Sequence, residues 1–92
     1  MSYMNLNLRQ LQAFVAVYRL GSLTRAAEQM FLTQPAVSVL IRQLEDSAGV
    51  RLFDRTTRSL HPTAAAHESI AKAERILEDL EQLAAGFKDV AT

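Results

Sequence analysis

The feature that most constrains the fold is an apolar repeat in the last third of the sequence. Its members alternate at steps of four and three residues: Ala66, Ile70, Ala73, Leu77, Leu80, Ala84 and Phe87. This spacing is typical of a coiled-coil seam and predicts one long helix that begins at Thr63 or Ala64. A second apolar row, made of Ile76, Leu83 and Val90, runs beside the seam.

A helix of this length is too long for one small domain to cover. The chain has 92 residues, enough for a single modest core. We therefore expect part of the helix to pack on that core and the rest to pair with a second copy, although the seam could instead be ordinary core. The residues predicted to form the dimer interface are Ile70, Ala73, Leu77, Leu80, Ala84 and Phe87.

Two shorter helices are predicted near the start of the chain. Apolar residues recur at helical spacing over residues 8–19, and Gly21 stands where a glycine would end that helix. Ser22 offers a capping oxygen for a second helix over about residues 23–31. The adjacent residues Ala26 and Ala27 would let another helix approach closely, because their side chains are small.

A third helix is predicted to run from Gln34 to about Ala48. Thr33 supplies a capping hydroxyl, Pro35 falls in the first turn, and Gly49 is a natural stop. Two short helices separated by a few residues, the second opened by a cap and a proline, favour a helix-turn-helix.

A small β-wing is predicted between the third helix and the long helix. Residues 50–53 alternate between polar and apolar side chains like a short strand, and residues 54–59 are polar and indicate a turn. Residues 60–61 can return as a second strand before Pro62. The pattern as a whole is mainly α: a winged helix-turn-helix, with a three-helix body and a wing, followed by a long dimerisation helix.

The net charge of zero hides an uneven distribution. Residues 1–62 carry seven arginines and four acidic residues, whereas residues 63–92 carry three basic and six acidic residues. The first part is therefore basic by three charges and the second acidic by three. That division is compatible with phosphate binding by the first part, with the acidic helix directed away from it.

Several function classes lack the residues they need. The sequence contains no cysteine and no glycine-rich phosphate loop, and its two histidines, His61 and His67, have no ligand-spaced partners. We expect no metal, no cofactor and no enzymatic activity. No apolar run approaches the roughly 18–20 residues that span a bilayer, and the first residues lack the pattern of a signal peptide, so we expect a cytoplasmic protein with no membrane partner.

The sequence resembles the N-terminal DNA-binding domain of the LysR-type transcriptional regulators of bacteria. The match runs in one register from about residue 6 to residue 85. Its motifs are LRQL at 8–11 with Phe14, GSLTRAAE at 21–28, TQPAVS at 33–38, IRQLE at 41–45, GVRLFDR at 49–55 and PT at 62–63. Several motifs in order at the right spacing are more specific than a lone helix-turn-helix pattern.

The resemblance implies a transcription regulator that binds double-stranded DNA as a homodimer through its last helix. Residues 1–62 would form the DNA-binding domain and residues 63–92 the linker and dimerisation helix. It also implies a C-terminal effector-binding domain outside these residues, which would bind a small molecule, and a higher oligomer of the full-length protein. The rival interpretation is a helical protein-interaction module that dimerises without reading DNA.

The third helix carries the residues expected to read bases. Gln34 and Ser38 are four residues apart, on the face away from the expected core, and these side-chain types bond to bases or phosphates in the major groove. Val39 stands where the family usually has arginine or another polar residue, and it either packs on a thymine methyl or thickens the core. Pro35 and Arg42 complete the predicted contacts of this helix.

Residues elsewhere are expected to contact the DNA backbone. In the wing these are Thr57, Arg55 and Arg58, because the arginine fork suits phosphate oxygens; an alternative for Arg55 is an ion pair with Asp54 or Glu45. Arg51 is equally consistent with DNA contact and with a solvated turn. Thr33 is expected chiefly to cap its helix, and Arg25 either touches the backbone or is simply solvated.

The family pattern is broken at two further positions. Leu40 replaces a residue that is usually polar, and we expect it to pack in the core. Ala66 replaces the family's glycine shortly after the wing, which predicts a straighter helical entry into the last helix.

Overall fold

A computed structural model of the protein describes residues 5–56 and 59–91. Three helices are followed by a two-stranded antiparallel sheet and a long helix. In chain order the elements are α1 (Leu8–Leu20), α2 (Leu23–Met30), α3 (Gln34–Ala48), β1 (Phe53–Arg55), β2 (Leu60–Pro62) and α4 (Ala64–Ala91). The predicted winged helix-turn-helix, mainly helical with a long last helix, is confirmed.

The ends of the first three helices are set by residues close to them in sequence. The Ser22 hydroxyl accepts a hydrogen bond from the backbone N–H of Arg25 at 3.1 Å, and the Thr33 hydroxyl accepts one from Ala36 at 3.3 Å. Gly21 and Gly49 end α1 and α3 in the left-handed conformation, with φ of 65° and 72°. These predicted caps and stops are all confirmed.

One cap was not predicted from the sequence. Asn7 and Gln10 form a reciprocal capping box at the start of α1. The Asn7 side chain accepts from the Gln10 backbone N–H at 2.9 Å, and the Gln10 side chain accepts from the Asn7 N–H at 3.3 Å. The pair satisfies two backbone donors that a helix start leaves free.

The core lies where α1, α2, α3 and the base of the wing meet. Its largest fully buried side chains are Phe14, Phe53, Ile41, Val17 and Val37. The rings of Phe14 and Phe53 meet edge to face with centroids 5.9 Å apart, so the wing is packed directly on α1. Ala26 and Ala27 are buried on α2 and allow the close helix approach predicted for them.

The first wing strand lies further along the chain than predicted. Residues 50–52 are outside the strand, and β1 is Phe53–Arg55, with Phe53 opposite Pro62. The reason is that the backbone N–H of Leu52, which a longer strand would direct to its partner strand, donates instead to the side chain of Glu45 at 2.8 Å. Side-chain alternation alone does not reveal that competing acceptor.

The long helix α4 packs its first half on the body. Ala66 and Ala73 are buried, and the helix is already regular at Ala66, as the absence of glycine there predicted. The hydroxyl of Tyr18 on α1 is hydrogen-bonded to Nδ1 of His67, and the adjacent Arg19 pairs with Glu74, which lies about two turns further along α4. No helix in the described part of the chain is long and apolar enough to cross a membrane.

Candidate nucleic-acid interface

The buried face of α3 fixes which of its side chains point outward. Val37, Ile41 and Leu44 lie in the core at 0–4% exposure, one helical turn apart. Gln34 and Arg42, on the side of α3 that borders this buried face, are exposed, and Ser38 between them is half-buried. Since these three residues are spaced by four, they form one continuous row on the outer face of α3.

The first turn of α3 is open to solvent. Thr33, Gln34 and Pro35 are all exposed, and the Thr33 hydroxyl is engaged in capping. The start of a helix leaves backbone N–H groups pointing outward with a partial positive charge, which favours an anion such as a phosphate. This end of α3 therefore combines a glutamine side chain with an electropositive backbone.

The two apolar residues beside this row behave differently. Val39 is 43% exposed on the surface of α3, whereas Leu40 packs against the core, as expected for Leu40. An exposed valine beside Ser38 is available to contact a methyl group, so the thymine hypothesis for Val39 stays a prediction.

The wing arginines fall into two groups. Arg51 is held against the protein: its Nη2 donates to the Phe53 carbonyl oxygen at 3.3 Å, and its Nε lies 3.9 Å from Glu45. Arg55, at the end of β1, is exposed and has no acidic partner among the described residues, so the alternative of an ion pair with Glu45 is taken by Arg51 instead. Thr57 and Arg58 lie outside the described residues.

Arg25 lies in the first turn of α2. Its backbone N–H donates to Ser22, and its side chain is exposed. Like Arg55, it presents a free guanidinium within the described part of the chain. Its predicted backbone contact with DNA remains a prediction.

The residues predicted to form the dimer interface on α4 fall into two groups, one packed within its own chain and one exposed. Ala73 is buried in its own chain, and Ile70 and Leu77 pack against the same core, so these three already have partners within one protomer. Leu80 is half-buried, whereas every residue from Glu81 to Ala91 is exposed. The large apolar side chains left uncovered on α4 are Ile76, Leu83, Phe87 and Val90.

Two residues have structural features that were not predicted from the sequence. Glu45 was considered only as a partner for Arg55, yet its carboxylate joins α3 to the wing. Phe31 was expected to end α2, and it does so with a left-handed backbone (φ 58°) and a side chain that is 94% exposed. A left-handed residue that is not glycine is rarely indicated by sequence alone.

The described residues contain no group of three or more histidine, aspartate or glutamate side chains that could hold a metal ion. Two surface depressions adjoin these elements. One lies between α1 and α4, and another lies between α3 and the wing and is lined by Arg42, Arg51 and Arg55 together with Glu45. The second joins the outer face of α3 to the exposed arginine of β1.

Comparison with known families identifies this arrangement. The model of the bacterial regulatory helix-turn-helix proteins of the lysR family matches residues 8–67. The chain belongs to the LysR family. The family match includes α1 to α3, the wing and the first turn of α4.

Individual LysR relatives agree with this assignment. A RuBisCO operon transcriptional regulator of Allochromatium vinosum is 40% identical over 96% of this chain and 32% of its own length. The HTH-type transcriptional regulator CfxR of Cupriavidus necator is 44% identical over 92% of this chain and 27% of its own. The chain thus spans about a third or less of these curated relatives, and their names as regulators agree with the expectation that it is not an enzyme.

Solved LysR structures share the fold. The DNA-binding domain of CbnR in complex with DNA is 32% identical, has a TM-score of 0.84, and the match includes 95% of this chain and all of that one. A cysteine mutant of OxyR from Corynebacterium glutamicum is 27% identical with a TM-score of 0.90, over 96% of this chain and 28% of that one.

Proposed function

We propose that this chain is the DNA-binding domain of a sequence-specific transcription regulator, with α3 as the recognition helix. The observation that carries the proposal is the solvent-facing row of Gln34, Ser38 and Arg42 on α3, which runs beside the buried face of the helix. Glutamine pairs with adenine through two hydrogen bonds, and arginine pairs likewise with guanine or a phosphate. A relative with the same fold has been solved with DNA bound.

The wing and α2 supply the sequence-independent part of binding. Arg55 and Arg25 are exposed on either side of α3 in the chain, and neither has an acidic partner among the described residues. Each phosphate neutralised by such a side chain releases counterions, so binding weakens as salt rises. Thr57 and Arg58 are proposed to add to the wing contact.

A second copy of the chain is proposed to cover the distal half of α4. Leu83, Phe87 and Val90 are 55–86% exposed and continue the heptad pattern past the point where the body ends. Pairing two such helices would present two α3 helices to one face of DNA, about 34 Å apart, on an interrupted inverted repeat. Leu80 and Ala84 complete this proposed surface.

The longer relatives extend the proposal to the whole protein. A further domain in the full-length regulator would bind a small-molecule effector and alter the placement of the two α3 helices, within a higher oligomer. Because its ligand is chromosomal DNA, such a bacterial regulator would act in the cytoplasm.

Fluorescence-anisotropy titration tests the proposal. The chain is titrated with an inverted-repeat duplex and a scrambled duplex at several salt concentrations. Tighter binding to the inverted repeat, with a linear loss on a log–log salt plot, is expected. Stable dimers with no salt-sensitive DNA affinity would instead favour the protein-interaction module.

A further inference from the structure

The side chain of Glu45 connects the recognition helix to the wing. It lies in the last turns of α3 and is only 11% exposed. One oxygen, Oε2, accepts hydrogen bonds from the backbone N–H groups of Leu52 at 2.8 Å and Phe53 at 3.2 Å. These two residues lead into β1, so a single carboxylate oxygen holds the start of the wing against α3.

The other ties of the wing run to different elements. The Thr63 backbone N–H donates to the Leu52 carbonyl oxygen at 2.9 Å, and the Thr63 hydroxyl donates to the Arg51 carbonyl oxygen at 2.6 Å, which joins the base of the wing to the start of α4. The ring of Phe53 packs on Phe14 of α1. Among these bonds, those to Glu45 are the ones that relate β1 to α3 itself.

The side chain of Arg51 lies beside this carboxylate and is hydrogen-bonded to the wing. Its guanidinium lies 3.9 Å from the Glu45 carboxylate and donates to the Phe53 carbonyl oxygen. The negative charge of Glu45 is thereby partly compensated beside the DNA-facing arginines Arg42 and Arg55. A hydrogen bond that involves a charged group is roughly twice as strong as a neutral one, so the link resists displacement of the wing.

We propose that Glu45 is a positioning residue for DNA binding, which fixes the wing relative to α3 so that Arg55 and the outer row of α3 engage one duplex together. This inference rests on the proposed function. Two contacts to one ligand reinforce each other only when their separation is fixed in advance, because otherwise binding must pay the entropy of ordering them. Glu45 itself contacts no DNA in this scheme.

Electrostatics alone predicts the opposite effect of removing this carboxylate. Loss of a negative charge near a phosphate-binding surface favours DNA, so a variant without the charge would bind more tightly. If Glu45 positions the wing, a variant that also lacks the hydrogen-bond acceptor binds more weakly. The sign of the change therefore separates the two accounts.

The experiment compares two variants of equal charge and similar size. Glu45→Met keeps the side-chain length but has no comparable acceptor, whereas Glu45→Gln keeps a carbonyl oxygen that can accept both N–H groups. Asp46→Asn, at an exposed neighbouring acid, is the control for charge loss. Each protein is titrated with a long duplex that extends beneath the wing and with a short duplex trimmed to the base pairs under α3.

On the long duplex, Glu45→Met is expected to weaken binding about tenfold or more, the range expected for losing one charged hydrogen bond. Glu45→Gln is expected to restore most of that affinity, and Asp46→Asn to bind at least as well as the wild type. On the short duplex all four proteins should bind alike. In an Arg55→Ala background, Glu45→Met should cause a smaller further loss than in the wild type, because the Arg55 part of the wing contact is already absent.

Equal weakening on both duplexes, or additive losses with Arg55→Ala, would overturn the proposal by showing general damage. If Arg55→Ala binds the long duplex as well as the wild type does, Arg55 makes no contact with DNA and the proposal is overturned. Continued binding of α3 to the short duplex would still support the proposed function in that case. If Glu45→Met does not fold by circular dichroism, wild type and Glu45→Gln are compared instead. A smaller loss confined to the long duplex is then required.

Discussion

The hydroxyl of Tyr18 on α1 lies 2.7 Å from Nδ1 of His67 on α4, and the two rings meet edge to face with centroids 5.5 Å apart. The Arg19–Glu74 ion pair lies further along the same two helices. Together they hold the first half of α4 at a fixed angle to the body. That angle decides where the distal half, and any partner helix on it, is placed relative to α3.

Tyr18→Phe and His67→Ala should be coupled in their effect on stability. Each substitution alone is expected to lower the free energy of unfolding by about 1 kcal/mol, because each removes the same hydrogen bond from a partly exposed site. The double variant should lose less than the sum of the two, by about 0.5 kcal/mol or more. Urea unfolding of the four proteins measures this, and strict additivity would show that the bond contributes nothing.

Replacing Phe31 with glycine should stabilise the protein. The left-handed backbone at this position destabilises a residue with a side chain by about 1 kcal/mol relative to glycine, and the 94% exposed ring loses almost no burial in the protomer. The midpoint of urea unfolding is expected to rise. The matched control is Gly21→Ala, at a left-handed glycine with no neighbour near its absent Cβ, where the midpoint should fall.

Val39→Ala tests direct readout of thymine. If the exposed valine packs on a thymine methyl, the wild type should bind a duplex more weakly when the contacted thymine is replaced by uracil, and Val39→Ala should lose that preference. The measurement is a set of anisotropy titrations with single thymine-to-uracil changes across the site. Equal weakening of the variant on every duplex would contradict the methyl contact.

Arg55→Ala should weaken binding to all sequences and make the salt dependence shallower. Removal of one phosphate contact lowers the slope of the log–log salt plot by about one unit. Arg75→Ala removes the same charge from an exposed position on α4 and serves as the control. An unchanged slope in the Arg55 variant, or an equal change in the control, would remove Arg55 from the interface.

Phe87→Ser should disrupt the proposed dimer without unfolding the protomer. The side chain is 66% exposed in one chain, so its burial is gained only when a second chain covers it. Losing that burial is expected to raise the dimer dissociation constant about tenfold or more, as measured by sedimentation equilibrium. Gln82→Ser, on a neighbouring exposed position, should leave it unchanged, and identical behaviour of both variants would mean that α4 does not pair through this row.

Much of the architecture was determined by short-range sequence signals. Ser22, Thr33, Gly21 and Gly49 act on backbone groups within three or four residues of themselves, so their effect depends little on the rest of the fold. The apolar spacing of α3 likewise identified its buried face, and with it the outward row beginning at Gln34. These interactions can be predicted because both partners are close in sequence.

Contacts between residues distant in sequence set the remaining features. The strand β1 starts at Phe53 and not earlier because Glu45 accepts the backbone N–H of Leu52, seven residues later, which a longer strand would use. The heptad seam of α4 contains both Ala73, which is buried in its own chain, and Phe87, which is exposed, although the sequence places them in one row. The sequence pattern indicates only that α4 has an apolar face. The position of the three-helix body determines how much of that face is buried within the same chain.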